Sequence, residues 1–203
     1  MSPTGVSLGV LASGKGTILE ALCASGLPLS LVVVDRPCRA LEVAQAAGLE
    51  AAMLDRAGFG RGEAFDRRRY SEALADLLVA KGIMVVAMAG FATVLDESFF
   101  GRFHGPVLNT HPALLPNFRG WNAVRRALEA NVKMTGCTVH LATPEVDAGP
   151  ILAQATVEVV PGDTEESLHE RIKAVERVLY PQVISDFLEE RFGWQRAQLH
   201  TAR

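Results

Sequence analysis

The feature that most constrains the fold is an alternation of short apolar runs with segments of helical spacing. Ser7–Ala12 (SLGVLA), Ser30–Asp35 (SLVVVD) and Ile83–Met88 (IMVVAM) are apolar at nearly every position, as strands are when both faces of a sheet are covered. Between them, Thr17–Ala24, Arg39–Ala47 and Phe65–Ala80 suit helices, the last with Tyr70, Leu74, Leu77 and Leu78 on one face. Gly48 marks the end of the second helix. A short strand is expected at Ala51–Leu54, and the polar, glycine-rich Gly58–Gly62 reads as a mobile loop. This order specifies an α/β fold: a Rossmann-like, mostly parallel twisted sheet with helices on both faces.

The second half changes pattern. Asp96–Phe103 and Asn122–Ala130 read as helices around a short strand at Pro106–Asn109. Gly136–Ala142 and Ile151–Val160 are β-rich segments joined by Thr143–Pro150, and such a pair adds antiparallel strands to a sheet edge. Thr164–Glu190 reads as a long C-terminal helix with Thr164 as N-cap, Glu165 and Glu166 at its positive end and Pro181 as a break. No repeat or linker divides the sequence, so residues 1–203 are expected to form a single domain.

Composition narrows the function. A net charge of −3 argues against a general nucleic-acid binder, but a local site on an acidic protein can still be positive. Cys23, Cys38 and Cys137 are scattered, which suits reduced thiols, and neither Cys nor His shows metal-ligand spacing, so no metal is expected. The N-terminus lacks a signal-peptide pattern, and no apolar run approaches the roughly 18 residues of a membrane span. The expectation is a soluble, cytoplasmic protein.

Three segments could carry chemistry. Ser13-Gly14-Lys15-Gly16-Thr17 follows the first strand, where glycines admit a ligand to the backbone and the next helix offers unpaired N–H groups to an anion. Gly16 stands where a Walker A loop needs Ser or Thr, and Leu19 stands where a dinucleotide fingerprint needs Gly. The segment therefore reads either as a phosphate site of another kind or as a plain tight turn. In Leu108–Pro116, Asn109 and His111 are two apart in extended chain and face one side. Pro112 keeps His111 extended. An amide donor beside a titratable imidazole suits a developing oxyanion, although such a pair alone is also a common polar turn. Asp147, before Gly149-Pro150, could orient the histidine or could be only a turn residue.

Taken together, these segments resemble the phosphoribosylglycinamide formyltransferase family, within the wider formyltransferase superfamily. The resemblance extends from Ser13–Gly16 through Ala89-Gly90-Phe91, Leu108–Pro116, Thr135–His140 and Asp147–Leu152 to Leu168–Arg177. It implies attack of the amine of glycinamide ribonucleotide on the formyl carbon of 10-formyltetrahydrofolate. Asn109 and His111 would donate to the oxyanion, and Asp147 would hold His111 and help move protons. It implies a phosphate and ribonucleotide site at Gly14, Lys15, Gly16, Thr17, Ile18, Pro112, Lys173 and Glu176. The folate would lie against Phe91, Ala92, Thr93, Val94, Leu95, Asn109, Leu141, Ala142, Thr143, Glu145, Val146 and Asp147. His140 and Thr138 would support the catalytic residues from behind. The folate is a co-substrate, no cofactor is held tightly, both partners are small molecules rather than nucleic acid or membrane, and the protein is expected to be a monomer or homodimer. A His111–Asp147 pair would raise the His111 pKa and lower that of Asp147.

Some positions depart from the family pattern. Ile18 replaces a common Asn, Ala92-Thr93 replaces Met-Arg, and an Arg common in the preceding loop aligns near Gly62, beside Arg61. Lys15, Arg61 and Lys173 are the cations that could compensate. His104, His169 and His200 are expected on the surface, Arg67–Arg69 on a solvated helix face, and Trp121 and Trp194 in packing. Among rival readings, the catalytic domain of methionyl-tRNA formyltransferase relies on an extra basic C-terminal domain, and formyltetrahydrofolate hydrolase on an extra N-terminal one. A formyltransferase acting on a sugar amine is a further rival. A non-catalytic binder has no need of an oxyanion donor beside a proton carrier.

Overall fold

The computed structural model describes residues 5–194. The elements are β1 (Leu8–Ala12), α1 (Thr17–Ala24), β2 (Leu29–Val34), α2 (Arg39–Ala46), β3 (Glu50–Met53), α3 (Arg67–Ala80), β4 (Val85–Met88), α4 (Glu97–Arg102), β5 (Val107–His111), α5 (Ala123–Glu129), β6 (Met134–Leu141), β7 (Ile151–Glu158) and α6 (Glu165–Phe192). They build a seven-stranded sheet in the order β3-β2-β1-β4-β5-β6-β7. The first five strands pair in parallel, and β6 and β7 join antiparallel.

Strand alternation divides the core between the two faces. On β1, Leu8, Val10 and Ala12 pack with Leu19 and Leu22 of α1 and with Tyr180, Ile184 and Leu188 of α6. Leu11 points the other way, toward Tyr70, Leu74 and Leu78 of α3 and Phe99 of α4. A smaller cluster of Val124, Cys137, Val157, Leu168 and Ile172 joins α5, β6, β7 and α6.

Three expectations change. Gly58–Gly62 belongs to two 3₁₀ turns, Arg56–Phe59 and Gly62–Ala64. Asp55 caps the first through the Ala57 N–H, and Phe59 packs edge-on to Tyr70 at 5.3 Å, so apolar anchors order a segment whose glycines suggested mobility. Pro181 lies inside a continuous α6. The lost helical hydrogen bond is offset by docking of the adjacent turns, and the Tyr180 hydroxyl donates to the Leu108 carbonyl at 2.9 Å. Finally, β5 runs past Asn109 to His111, because β6 pairs with it at Asn109↔His140 and His111↔Thr138. Thr164 does cap α6, with a capping box to Ser167. No helix among the described residues is long and apolar enough to cross a membrane.

Candidate active site

In the sheet order the chain moves from β1 outward to β3, then crosses back to β4 on the other side of β1. Ligands in open α/β sheets bind beyond the carboxyl ends of strands at such a switch point. A cleft of about 600 Å³ lies there, between the loops after β1 and β4, the end of β5, the β6–β7 loop and α6.

Its glycine end is built from Gly14 to Ile18. Gly16 takes φ 75°, and a Cβ there would sit 3.0 Å from the Ala40 Cα, so this glycine is required by the contact between α1 and α2. A Cβ on Gly14 would meet nothing within 4 Å, leaving its backbone open to a ligand. Gly16 supplies no side-chain acceptor as N-cap, so the first-turn N–H groups of α1 remain available to an anion. Lys15 and Lys173 also line this end, whereas Arg61 does not. Ile18 is 8% exposed, with most of its side chain in the core.

The other end is a network of four side chains. The pairing of Asn109 with His140 on adjacent strands brings Asn109 Nδ2 to 3.2 Å from His140 Nε2. The Leu141 carbonyl, 3.0 Å from His140 Nδ1, can only accept; it therefore places the proton of a neutral His140 on Nδ1 and leaves Nε2 to accept from Asn109. One N–H of Asn109 is thus spent on its own orientation and the other is left for the cleft. Asp147 lies 3.1 Å from His111 Nδ1 and 3.4 Å from His140 Nε2, and its Oδ2 accepts from the Gly120 N–H at 2.8 Å. Asp147 takes φ 52°, a left-handed conformation that Asp tolerates better than most residues. Gly149 permits the return of this loop, since a Cβ there would lie 1.8 Å from the Leu141 carbonyl oxygen.

His111 departs from the expected electrostatics. Burial lowers its pKa, and Asp147 and the Phe118 carbonyl oppose that shift without reversing it. Burial raises the Asp147 carboxyl, but the His140 ring 3.4 Å from Oδ1, the Gly120 N–H and the nearby His111 bring it below its ordinary value. His111 Nε2 lies 2.9 Å from the Phe118 oxygen, so both ring nitrogens face acceptors. A neutral ring has one N–H and can serve only one of them, whereas a protonated ring serves both. The site therefore holds an ionised carboxylate beside a neutral histidine that gains a hydrogen bond on taking a proton.

Most residues that the resemblance implied line the cleft: Gly14, Lys15, Gly16, Thr17, Ile18, Phe91, Ala92, Thr93, Val94, Leu95, Asn109, His111, Pro112, His140, Ala142, Thr143, Val146, Asp147, Lys173 and Glu176. Leu141, Glu145 and Thr138 do not. Leu141 packs against the core, while Glu145 points outward to Arg119 at 3.4 Å. Thr138 supports the chain after His111, donating to the Ala113 carbonyl at 2.7 Å and accepting from Leu115 N–H at 3.0 Å. Glu176 is 5% exposed and accepts from Thr110 Oγ1 at 2.9 Å; burial pushes its carboxyl up to about 7.

One surface assignment and one packing assignment require correction. His169 is half-buried and lines the cleft from α6, sharing one face with Lys173 and Glu176 at helical spacing. That spacing was the available signal. Trp121, expected in packing, is 63% exposed at the mouth of the cleft, in a loop where Phe118, Gly120 and Asn122 all take positive φ. Trp194 is buried, His104 is exposed, and His200 lies outside the described residues. Among the described residues no group of three His, Cys, Asp or Glu could hold a metal.

A switch-point cleft with an Asn/His/Asp cluster at one end and a glycine loop at the other defines a class that comparison with known proteins identifies. Residues 10–184 match the family model described as formyl transferase, and the chain belongs to that family. Its similarity is to one branch in particular. Phosphoribosylglycinamide formyltransferase of Mycobacterium tuberculosis is 44% identical over 84% of this chain and 79% of its own length. The Escherichia coli protein of the same name is 35% identical over 90% and 87%. The crystal structure of glycinamide ribonucleotide transformylase 1 from Symbiobacterium toebii superposes with a TM-score of 0.84 at 40% identity, covering 94% of this chain and 91% of that one.

Proposed function

We propose that this protein transfers the formyl group of 10-formyltetrahydrofolate to the primary amine of glycinamide ribonucleotide, a step of purine biosynthesis. The observation that carries the reading is the Asn109–His140–Asp147–His111 network facing a glycine loop across one cleft. The phosphate binds at Gly14, Gly16 and Thr17 with Lys15 and Lys173 nearby, and Glu176 takes the ribose or glycinamide end. The pterin lies against residues 91–95 and the 141–147 loop. Both halves act as one domain on free small molecules in the cytoplasm, with no tightly held cofactor.

The amine nitrogen attacks the formyl carbon, and the carbonyl oxygen becomes an oxyanion. The free N–H of Asn109 donates to it, and His111, on gaining a proton, adds a second donor. A formyl oxygen that accepts from His111 Nε2 must replace the Phe118 carbonyl, so the 117–122 loop yields when substrate enters. Asp147 stabilises the imidazolium through Nδ1. The proton lost by the amine returns to N10 of the departing tetrahydrofolate, so the histidine ends as it began. Each well-aimed oxyanion donor is worth about 3–4 kcal/mol of barrier.

The test is folate product formation with glycinamide ribonucleotide, a 4-amino sugar nucleotide and methionyl-tRNA offered separately. Turnover confined to glycinamide ribonucleotide is expected. Turnover confined to another amine would reassign the substrate.

A further inference from the structure

A carboxylate outside the cleft ties its two binding loops together. Asp35 follows β2, is 0% exposed and does not line the cleft. Its Oδ1 accepts from Arg36 Nε at 2.9 Å, and its Oδ2 accepts from Arg36 Nη2 at 2.9 Å and Thr93 Oγ1 at 2.6 Å. The Ser13 side chain lies near enough to help lower its pKa. Ser13 Oγ in turn accepts from the Ala92 N–H at 2.7 Å. The groups of this network come from the ends of three adjacent strands: Ser13 after β1, Arg36 after β2, and Ala92 and Thr93 after β4.

A buried carboxylate is costly unless its oxygens are satisfied, and a fully satisfied network fixes the segments that supply its donors. Burial raises the Asp35 carboxyl, but Arg36, Thr93 and Ser13 outweigh it and hold the group below its ordinary value. Thr93 therefore directs its hydroxyl at Asp35 and meets the cleft with its remaining atoms.

We propose that Asp35 is a positioning residue for both substrates: it fixes the 91–95 loop through Thr93, the Ala92–Ser13 bond next to it holds the glycine loop, and the two together set the distance between the phosphate and pterin ends of the cleft. This rests on the substrate assignment above. Asp35→Asn keeps the shape but turns an N–H toward groups that are themselves donors, so at least one contact is lost.

Two measurements on the full chain test it. In the ligand-free protein, Asp35→Asn should speed amide exchange at both 13–17 and 90–95, on the order of tenfold, with α3 and α5 unchanged. Exchange like the wild type, or uniform acceleration, would overturn the role. In kinetics, KM for both substrates should rise together by about fivefold or more while kcat stays within about threefold, the pattern of lost uniform binding. A kcat loss with unchanged KM values would also overturn it. Should Asp35→Asn fail to fold, Ser13→Ala and Thr93→Val each remove one hydroxyl and carry the test. Acting on one linked network, they should be non-additive in KM, and strict additivity refutes the shared positioning role. If the wild type does not turn over glycinamide ribonucleotide, the substrate assignment falls and the exchange experiment decides the positioning role alone.

Discussion

The two ends of the cleft are built differently. At the β5–β6 end, side chains satisfy one another: Asn109 with His140, Asp147 with His111 and Gly120, and Thr138 with Ala113 and Leu115. At the glycine end, backbone N–H groups of α1 and the Lys15 cation face the open cleft, with Lys173, held by Glu170, nearby. An interlocked network suits chemistry, where atoms must be held before charge develops. An open cradle suits binding, because the ligand itself completes the hydrogen bonds. Substitutions at the first end should therefore act on kcat, and those at the second on KM.

The largest effect is expected at the interlocked end. Asn109→Ala and His111→Ala should each lower kcat by at least about a hundredfold, the scale of losing one oxyanion donor. Both KM values should stay within a few-fold. Steady-state kinetics of folded variants provide the check, and near-parental kcat in either would remove that residue from the chemistry.

A smaller effect, of the opposite kind, is expected at the open end. Thr17→Asp puts a carboxylate in the first turn of α1, where a negative charge favours the helix, so folding should not suffer. The same charge meets the substrate phosphate. At the effective dielectric of a protein surface, that repulsion should raise KM for the ribonucleotide by at least about tenfold. KM for the folate should barely move. Equal shifts in both constants would place the phosphate elsewhere.

The same contrast explains what was legible in the sequence. Strands β1, β2 and β4 declare themselves because burial on both faces makes them wholly apolar. Asn109 and His111 share a face by the two-residue period of a strand, which needs no tertiary knowledge. His140 joins them only through the β5–β6 register, which its own segment does not encode. The direction of the His111 shift was misread because a charge partner is visible in a motif while the depth of burial is not. His169 looked like a surface residue because the helical spacing that links it to Lys173 and Glu176 says nothing of what that face meets. In the 56–64 segment, glycine content hid the ordering effect of Phe59 and Phe65 on Tyr70.

The smallest expected effect concerns Glu176, which joins the two ends: it reaches from α6 to Thr110, between the two oxyanion donors, and lines the cleft beside Lys173. Burial raises its carboxyl from 4.5 to about 7. A carboxyl whose folded pKa is raised gives stability that is fully present below its unfolded value and is lost as pH rises through the folded value. The wild type should therefore lose this contribution between pH 4.5 and about 7 and show no further loss from this group above that. Glu176→Gln keeps an amide of similar shape that can still accept from Thr110 and does not ionise. Its melting temperature relative to wild type should climb across that window by at least about 3 °C, the shift that about 1 kcal/mol produces in a chain of this size. Other titrating groups are common to both proteins, so the difference between their pH curves isolates this carboxyl. A difference that is flat between pH 5 and 8 would show that Glu176 is not held protonated by burial. The link between the open cradle and the interlocked network would then be an ordinary ionised carboxylate, held by Thr110 and charged before any ligand arrives.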